Sequence, residues 1–420
     1  MAHRLVCLVL VFALVSPCAV ASPGALPSRF QNLPAGWKVT NHAEIPRQQA
    51  AAIGQKLGGR VVGLTNTLLD AEGRRLQVNL LQCASDDDAE AIRKAVAEAH
   101  GGAAGCALRN GKTVVEFVCD DLRLVKRAGY VLGFRPRVVT YRISFEAAPI
   151  KKADYMAWNR MFNLLLAWRE NPRDQKTLEQ IAALRGKFEY SRQISLRTHG
   201  LGALPSTYVF KPQAVEDEVA AGGDVCRFSF GKLPQTAGLP CVAVTATVTS
   251  EAFAFVQTRR KPGPELLSPT EYWPSKDPKI VELAAKITED RKTDAQKVEA
   301  ILAYLMPGRN IRFGGPITGS RYGVLKVLEQ DFGQCWDFSD LCVTLCRAGG
   351  IPCRQVAGWL HGQRGHIWAE VMLDGKGWQQ IDPTAGMACG SDYIPYLTSE
   401  TGHMPILYLS MPEIEILQAK

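Results

Sequence analysis

The sequence lacks most features of membrane-spanning and nucleic-acid-binding proteins. Of its 420 residues only an N-terminal stretch forms a long apolar run, and that run is too short to cross a bilayer. Its 49 basic and 41 acidic residues leave a formal net charge of +8, with no long block of Lys and Arg and no interleaved aromatic residues. Internal repeats and low-complexity tracts are also absent from the sequence. We therefore predict no membrane span and no nucleic-acid partner.

The apolar run lies within residues 1–21, which have the pattern of a secretory signal. Arg4 precedes the run, which ends near Val15, and an A-x-A cleavage pattern ends at Ala21. Lipid modification of Cys18 is the alternative. We predict a signal peptide cleaved near Ala21 and a secreted or periplasmic mature chain.

Ten of the twelve cysteines follow the predicted signal. Disulfides persist in the oxidising compartments that exported proteins reach. Cys226 with Cys241 is a candidate pair, and one disulfide involving Cys353 or Cys389 is another alternative.

Cofactor motifs are missing, and the cysteine spacing does not fit a zinc site. Cys342 and Cys346 are four residues apart within a predicted helix, and no second C-x-x-C follows. We predict no cofactor and no metal site.

The length suits two or three domains, given domains of ~100–200 residues. The predicted fold class is α+β, with a small N-terminal α+β domain, a strand-rich region and a C-terminal domain. Alternating apolar residues between positions 242 and 248 indicate strands, and Tyr155–Trp168 has the spacing of a core helix. The predicted segments are a small α+β domain over 22–150, a helix with a β-sandwich-like region over 151–260, a Pro-rich connector over 261–275 and a catalytic domain over 276–420.

Two helices with strong start signals open the C-terminal domain. Asp277 before Pro278 supplies an N-cap followed by a proline at the first helical position. Thr293 and Gln296 have the spacing of a capping box. We therefore predict one helix after Asp277 and a second after Thr293.

The stretch GQCWDFSDLC places a cysteine where a helix begins. Phe338, Leu341 and Leu345 share one helical face, and Gly349-Gly350 ends the run. Cys335 therefore lies in the first turn, where the unpaired N–H groups and the positive end of the helix dipole stabilise a thiolate. This position favours a nucleophile over a buried structural thiol.

A predicted β-hairpin carries the partners of this cysteine. His366–Leu373 alternates at period two, and Trp378–Asp382 returns as the partner strand. Asp382 shares a face with His366 only if the loop has an odd length or residues 374–377 contain a bulge, and three-residue loops containing glycine satisfy this condition. Proton transfer then assigns the roles: Cys335 attacks an acyl carbon, His366 moves the proton, and Asp382 orients the imidazole.

Three motifs resemble the transglutaminase-like superfamily: GQCWDFSDLCVTLCRAGGIPCR, GHIWAEVML and GWQQIDPTAG. The resemblance covers residues 275–386. It implies a papain-like α+β domain that transfers acyl groups from glutamine side chains or cleaves peptide bonds. The catalytic cysteine, histidine and aspartate of the family fall on Cys335, His366 and Asp382. The additional transition-state aromatic of the family has no assignable position here.

The predicted function is a cysteine enzyme that forms an acyl-enzyme on a protein or peptide amide. We favour water over an amine as the acceptor, because the chain lacks recognisable accessory features of cross-linking enzymes. A protein-glutamine amine transferase is the alternative, and a non-catalytic binding or scaffold module is the alternative from another class. Trp336 and Trp368 are candidate substrate-binding residues that also fit a packing role.

Overall fold

The computed structural model describes the chain from residue 26 to residue 420 apart from short gaps. The gaps are 101–105, 149, 153–159, 162, 165–166, 169–170, 172, 186–187, 191–192, 198–206, 212–217, 223–224, 232–240, 257–262, 317–320, 362–364, 374–375, 404–406 and 409–411. The predicted signal over 1–21 lies outside the described residues, as does most of the predicted helix over 155–168. Contacts divide the chain into two compact units, one ending at Pro136 and the other beginning at Arg137.

The first unit is an antiparallel sheet with three helices. Its strands are β1 Trp37–Ile45, β2 Val61–Ala71, β3 Arg74–Cys83, β4 Ala107–Asn110 and β5 Thr113–Val118, in the order β1-β2-β3-β5-β4. Its helices are α1 Arg47–Lys56, α2 Asp86–Ala99 and α3 Leu122–Val131. The side chain of Ser85 accepts a hydrogen bond from Asp88 N–H, so a sequence-encoded N-cap begins α2.

The second unit contains a strand-rich part and a part that alternates helices with strands. The strand-rich part comprises β6 Val138–Ala148, β7 Ile150–Lys152, β8 Glu189–Tyr190, β9 Gln193–Arg197, β10 Thr207–Lys211, β11 Glu218–Gly222, β12 Val225–Ser229 and β13 Cys241–Glu251, with helix α4 Gln175–Arg185. β10, β13 and β6 are neighbours in one antiparallel sheet, and β11, β12 and β9 form another.

The helices of the remaining part are α5 Pro278–Ile287, α6 Asp294–Leu305, α7 Val324–Gln330 and α8 Cys335–Ala348. Its strands are β14 Phe255–Val256, β15 Arg312–Phe313, β16 Phe332–Gly333, β17 Cys353–Leu360, β18 Gly365–Leu373, β19 Gly377–Asp382, β20 Met387–Ala388, β21 Tyr393–Ser399, β22 Leu407–Tyr408 and β23 Glu413–Ala419. The central sheet has the order β14-β19-β18-β17-β21, with β20 beside β19. Two further short helical turns of the chain are Ser28–Phe30 and Pro264–Leu266.

The mixed α and β content confirms the predicted fold class. Both predicted helix starts in the C-terminal part are also confirmed, because Asp277 caps α5 and Thr293 forms a capping box with Gln296 on α6. The division into 22–150, 151–260, 261–275 and 276–420 stays a prediction. Among the helices of the described residues, none combines the length and the apolar character needed to cross a membrane.

Helix α8 packs against the central sheet through a shared apolar core. Phe338, Leu341 and Leu345 of α8 are fully buried together with Ala369 and Val371 of β18. This packing fixes the start of α8 relative to β18 and β19, the two strands that carry the predicted histidine and aspartate.

The disulfide alternatives are wrong in this structure. Among the described cysteines, Cys226, Cys353 and Cys389 are free thiols, so neither candidate disulfide forms. Cys226 lies in β12 and Cys241 in β13, which belong to different sheets.

Candidate active site

Helix α8 begins at Cys335, as predicted, and its start is tied down by hydrogen bonds. The backbone N–H of Gln334 donates to Asp337 Oδ2 over 2.9 Å, and the N–H of Tyr322 donates to Asp337 Oδ1 over 2.8 Å. A Cβ atom added at Gly333 would lie 2.8 Å from the Cβ of Asp337, so only glycine fits there. The glycine of the G-x-C motif therefore allows the close approach that caps this helix.

His366 and Asp382 meet across the β18–β19 hairpin. His366 Nε2 lies 2.9 Å from Asp382 Oδ2. The register pairs Leu373 with Gly377, which leaves three residues between them, and it pairs Ala369 with Ile381. Asp382 therefore falls opposite an even-numbered position, diagonal to His366, and the predicted odd-length loop is confirmed.

Three further hydrogen bonds hold the buried Asp382 carboxylate. The N–H and hydroxyl of Thr384 donate to Oδ1 over 2.8 and 2.7 Å, and the Tyr393 hydroxyl donates to Oδ2 over 2.6 Å. Burial opposes ionisation of Asp382, but the charge of His366 and the bonds from His366, Tyr393 and Thr384 outweigh it and lower the pKa. Asp382 is therefore a fixed anion beneath the imidazole.

The imidazole of His366 stands between this anion and the cysteine. Burial lowers the pKa of His366, but the Asp382 carboxylate and the hydrogen-bonded Cys335 sulfur outweigh it and raise the pKa to about 10. Because Asp382 occupies Nε2, Nδ1 is the ring nitrogen left to face the sulfur. Cys335 itself is half-buried, so a substrate can reach it.

The two candidate substrate-binding tryptophans have different surroundings. Trp336 is half-buried beside Cys335, and its ring lies under the guanidinium of Arg321. Trp368 is fully buried, stacks on His366 with ring centroids 5.9 Å apart, and donates from Nε1 to Gln380 Oε1 over 2.8 Å. Trp368 packs against one face of the imidazole, so we propose no substrate contact for it. Trp336 stays a candidate substrate-binding residue.

Arg321 links the start of α8 to the surrounding chain. Its guanidinium carbon lies 4.2 Å from the Tyr272 ring centroid and 4.6 Å from that of Trp336. Its Nε lies 3.3 Å from Oδ2 of the buried Asp340, and its Nη2 donates to Gln355 Oε1 over 2.9 Å. The Asp340 carboxylate, which lies about one turn beyond Cys335 on α8, is thereby paired with the Arg321 cation.

Sequence reasoning missed Tyr393 and Arg321. Tyr393 is 11 positions beyond Asp382 and reaches it from β21, while Arg321 lies 15 positions before Trp336. Each of these residues lies outside the element that carries its partner, so no local periodicity could indicate the contact. Thr384 was within the quoted D-P-T motif, and its position there was the available clue.

A family model matches this part of the chain. Residues 281–383 match the model described as the transglutaminase-like superfamily, and the match includes Cys335, His366 and Asp382. This segment is therefore a transglutaminase-like domain, as the three motifs predicted.

Two curated relatives match over similar lengths. The uncharacterized protein YebA of Bacillus subtilis (strain 168) is 27% identical over 143 residues, which cover 29% of this chain and 19% of that protein. The uncharacterized protein ML0607 of Mycobacterium leprae (strain TN) is 31% identical over 146 residues, which cover 31% of this chain and 48% of that protein. The chain thus spans less than half the length of each relative.

Solved structures give weaker likenesses. A "Putative Cysteine Protease" from Cytophaga hutchinsonii has a TM-score of 0.40 at 16% identity, covering 67% of this chain and 91% of the other. The periplasmic domain of TgpA from Pseudomonas aeruginosa has a TM-score of 0.29 at 15% identity, covering 47% and 65%. Red sea bream transglutaminase has a TM-score of 0.24 at 12% identity, covering 75% and 50%.

Proposed function

We propose that this protein is a cysteine enzyme that transfers the acyl group of a protein or peptide amide to Cys335 and then to water. The observation that carries the proposal is the chain of contacts from the Cys335 sulfur through His366 to Asp382, at the start of a helix. A binding or scaffold module would not need a half-exposed thiol, an imidazole and a buried carboxylate in that order.

The chemistry follows from the position of each proton. The Cys335 thiolate attacks the amide carbon while the His366 imidazolium, held by Asp382, keeps the proton. His366 delivers that proton to the leaving amine, and a thioester remains on the sulfur. His366 then accepts a proton from the attacking water, and release of the acid restores the Cys335 thiolate beside the protonated His366. The backbone N–H of Cys335 is the proposed oxyanion donor, because the first N–H groups of a helix have no intrahelical partner.

The acceptor decides between a hydrolase and a protein-glutamine amine transferase. We propose water, because none of the described residues can be assigned as the additional transition-state aromatic expected of cross-linking enzymes. Trp273, an aromatic residue upstream of the cysteine, is fully buried, and its indole N–H donates to Asp340 Oδ1 over 2.9 Å. It is therefore not available to a substrate.

The proposed setting is outside the cytoplasm. Residues 1–21 have the pattern of a secretory signal, and the proposed substrate is a protein or peptide that the enzyme meets after export. In that compartment the free Cys335 thiol must stay reduced for the enzyme to act.

Turnover of a labelled glutamine-containing peptide, with and without a primary amine, tests the proposal. We expect mass spectrometry to detect the acid product with the native protein and with Cys119→Ala, which removes a partly exposed thiol of the first unit. Cys335→Ala should abolish the product. An amide-linked product in place of the acid would identify a transferase. Turnover no higher than that of Cys335→Ala, with water or with the amine as acceptor, would contradict the proposal that the protein is an enzyme.

A further inference from the structure

Tyr393 reaches the site from a strand that carries none of the three proposed catalytic residues. It begins β21, which pairs with β17, and its hydroxyl donates to the same oxygen of Asp382 that binds His366. Its ring packs edge-on against Trp368, with centroids 5.3 Å apart, and its carbonyl accepts from the buried Ser250 hydroxyl over 2.8 Å. The phenol is therefore held rigidly in place at the carboxylate.

The Tyr393 hydroxyl acts only as a hydrogen-bond donor toward Asp382. Burial and the nearby Asp382 carboxylate raise the pKa of Tyr393 well above its usual value, so the hydroxyl keeps its proton. A neutral donor to a carboxylate stabilises the ionised form of that carboxylate. The donors to Asp382 other than His366 are thus Tyr393 and Thr384, and neither changes protonation over the working range.

We propose that Tyr393 is a positioning residue that keeps Asp382 ionised, and so keeps the Cys335–His366 pair competent, at acidic pH. This inference rests on the proposed function for its catalytic meaning. When Asp382 takes up a proton, the His366 imidazolium loses its counter-ion. The Cys335 thiolate then no longer has a stabilised imidazolium beside it. Tyr393 delays that event to lower pH, which extends the acid side of the activity range.

Other ionisable groups also face this carboxylate and phenol. They are Cys342 on α8, Cys389 after β20 and Asp392 before β21, and Glu370 on β18 interacts in turn with Cys389. The pKa values of the Cys342 and Cys389 thiols are raised, so both stay neutral, and Glu370 is paired with Arg354. Tyr393 differs from these groups in donating a 2.6 Å hydrogen bond directly to the Asp382 carboxylate.

The test is the rate of Cys335 alkylation by iodoacetamide, followed by peptide mass spectrometry from about pH 3 to about pH 8. On the acidic side of the profile, which we call the acid limb, the alkylation rate falls as the pH is lowered. We expect this fall to occur about one pH unit higher in Tyr393→Phe, because the variant loses one hydrogen bond to a charged group. Thr384→Val, which removes a donor to the other carboxylate oxygen, should move it in the same direction.

Tyr141→Phe is the matched control. Tyr141 is also buried, and its hydroxyl donates to the backbone carbonyl of Ser391 over 3.0 Å, two residues before Tyr393. The acid limb of Cys335 alkylation in Tyr141→Phe should coincide with that of the native protein. Coincident profiles for Tyr393→Phe, Thr384→Val and the native protein would overturn the proposal, and so would an equal shift in Tyr141→Phe. Alkylation needs no substrate, so absence of turnover with the expected shifts would refute the proposed function alone.

Discussion

The guanidinium carbon of Arg321 lies 4.6 Å from the ring centroid of Trp336, the residue that follows Cys335. The same side chain lies 3.3 Å from Asp340, which is 2% exposed. Burial raises the pKa of Asp340 to about 6, although Arg321 and the bonds from Trp273 and Gln355 oppose the shift. One cation therefore holds the tryptophan beside the nucleophile and balances a buried carboxylate behind it.

Replacing Arg321 should destabilise the protein in a pH-dependent way. Arg321→Ala leaves Asp340 buried without its cation, and we expect the free energy of unfolding to fall by ~3 kcal/mol near neutral pH. The pKa of Asp340 is raised in the folded state, so its ionisation costs stability as the pH rises from the unfolded-state pKa to about 6, and above about 6 the buried carboxylate is charged and needs its cation. The loss should therefore be smaller at about pH 5 than at about pH 7.

Urea unfolding of Arg321→Ala at both pH values checks this prediction. Asp340→Asn in the same background is the control, because an amide cannot ionise, and it should remove the difference between the two values. Equal losses at both pH values in the single variant would contradict the role assigned to Asp340.

Much of the site followed from local sequence patterns. The spacing of Phe338, Leu341 and Leu345 predicted α8 and placed Cys335 at its start, and the structure has that start. The parity of the hairpin required an odd loop or a bulge if Asp382 was to reach His366, and the register contains an odd loop. Helix starts and hairpin registers depend on neighbouring residues, so a single sequence contains the information.

Contacts between distant segments were not accessible in the same way. β23, at the end of the chain, pairs with β6, about 270 positions earlier. Tyr393 and Arg321 reach the site through similar tertiary contacts, which depend on how α8 and the sheets pack. A pattern of period two or 3.6 contains no information about such partners.

The two tryptophans near the site should respond differently to substitution. Trp336→Ala removes a half-buried ring beside Cys335, and we expect KM to rise with a smaller effect on kcat. Trp368→Phe removes the bond to Gln380 and part of the ring beneath His366, and we expect kcat to fall about tenfold with KM little changed. Steady-state kinetics on the peptide of the turnover assay separates the two parameters. A rise in KM alone for Trp368→Phe would mean that its ring contacts substrate after all.

Cys335 should be the fastest-labelled thiol of the native protein. Of the ten described cysteines, Cys335 and Cys119 are half-buried and the other eight are buried. Burial raises the pKa of Cys119, whereas Cys335 has a hydrogen-bonded imidazole, so we expect iodoacetamide to label Cys335 at least about tenfold faster near neutral pH. Peptide mapping over time measures both rates in one sample. Full labelling in urea without reductant should reach all ten thiols, and a missing pair would reveal a disulfide.

Asp382→Asn should lower stability most strongly below neutral pH. In the native protein the pKa of His366 is raised from 6.5 to about 10, chiefly through Asp382 against the effect of burial. A raised folded-state pKa contributes stability that is fully present below 6.5 and is lost as the pH rises through about 10. The lowered pKa of Asp382 extends this stability to acidic pH, where it is lost only as the carboxylate itself takes up a proton.

We therefore expect Asp382→Asn to reduce the free energy of unfolding by ~3 kcal/mol between about pH 5 and about pH 6, and by less than half of that near pH 9. Urea unfolding across this range measures the difference. Asp331→Asn is the matched control, because Asp331 is exposed and forms an ion pair of 3.0 Å with the exposed Arg312. Removing such a surface pair changes stability by less than about 1 kcal/mol. A loss in Asp382→Asn that stays constant from acidic to alkaline pH would show that the Asp382–His366 pair is not charged in the folded protein, and the thiolate–imidazolium mechanism would then lose its basis.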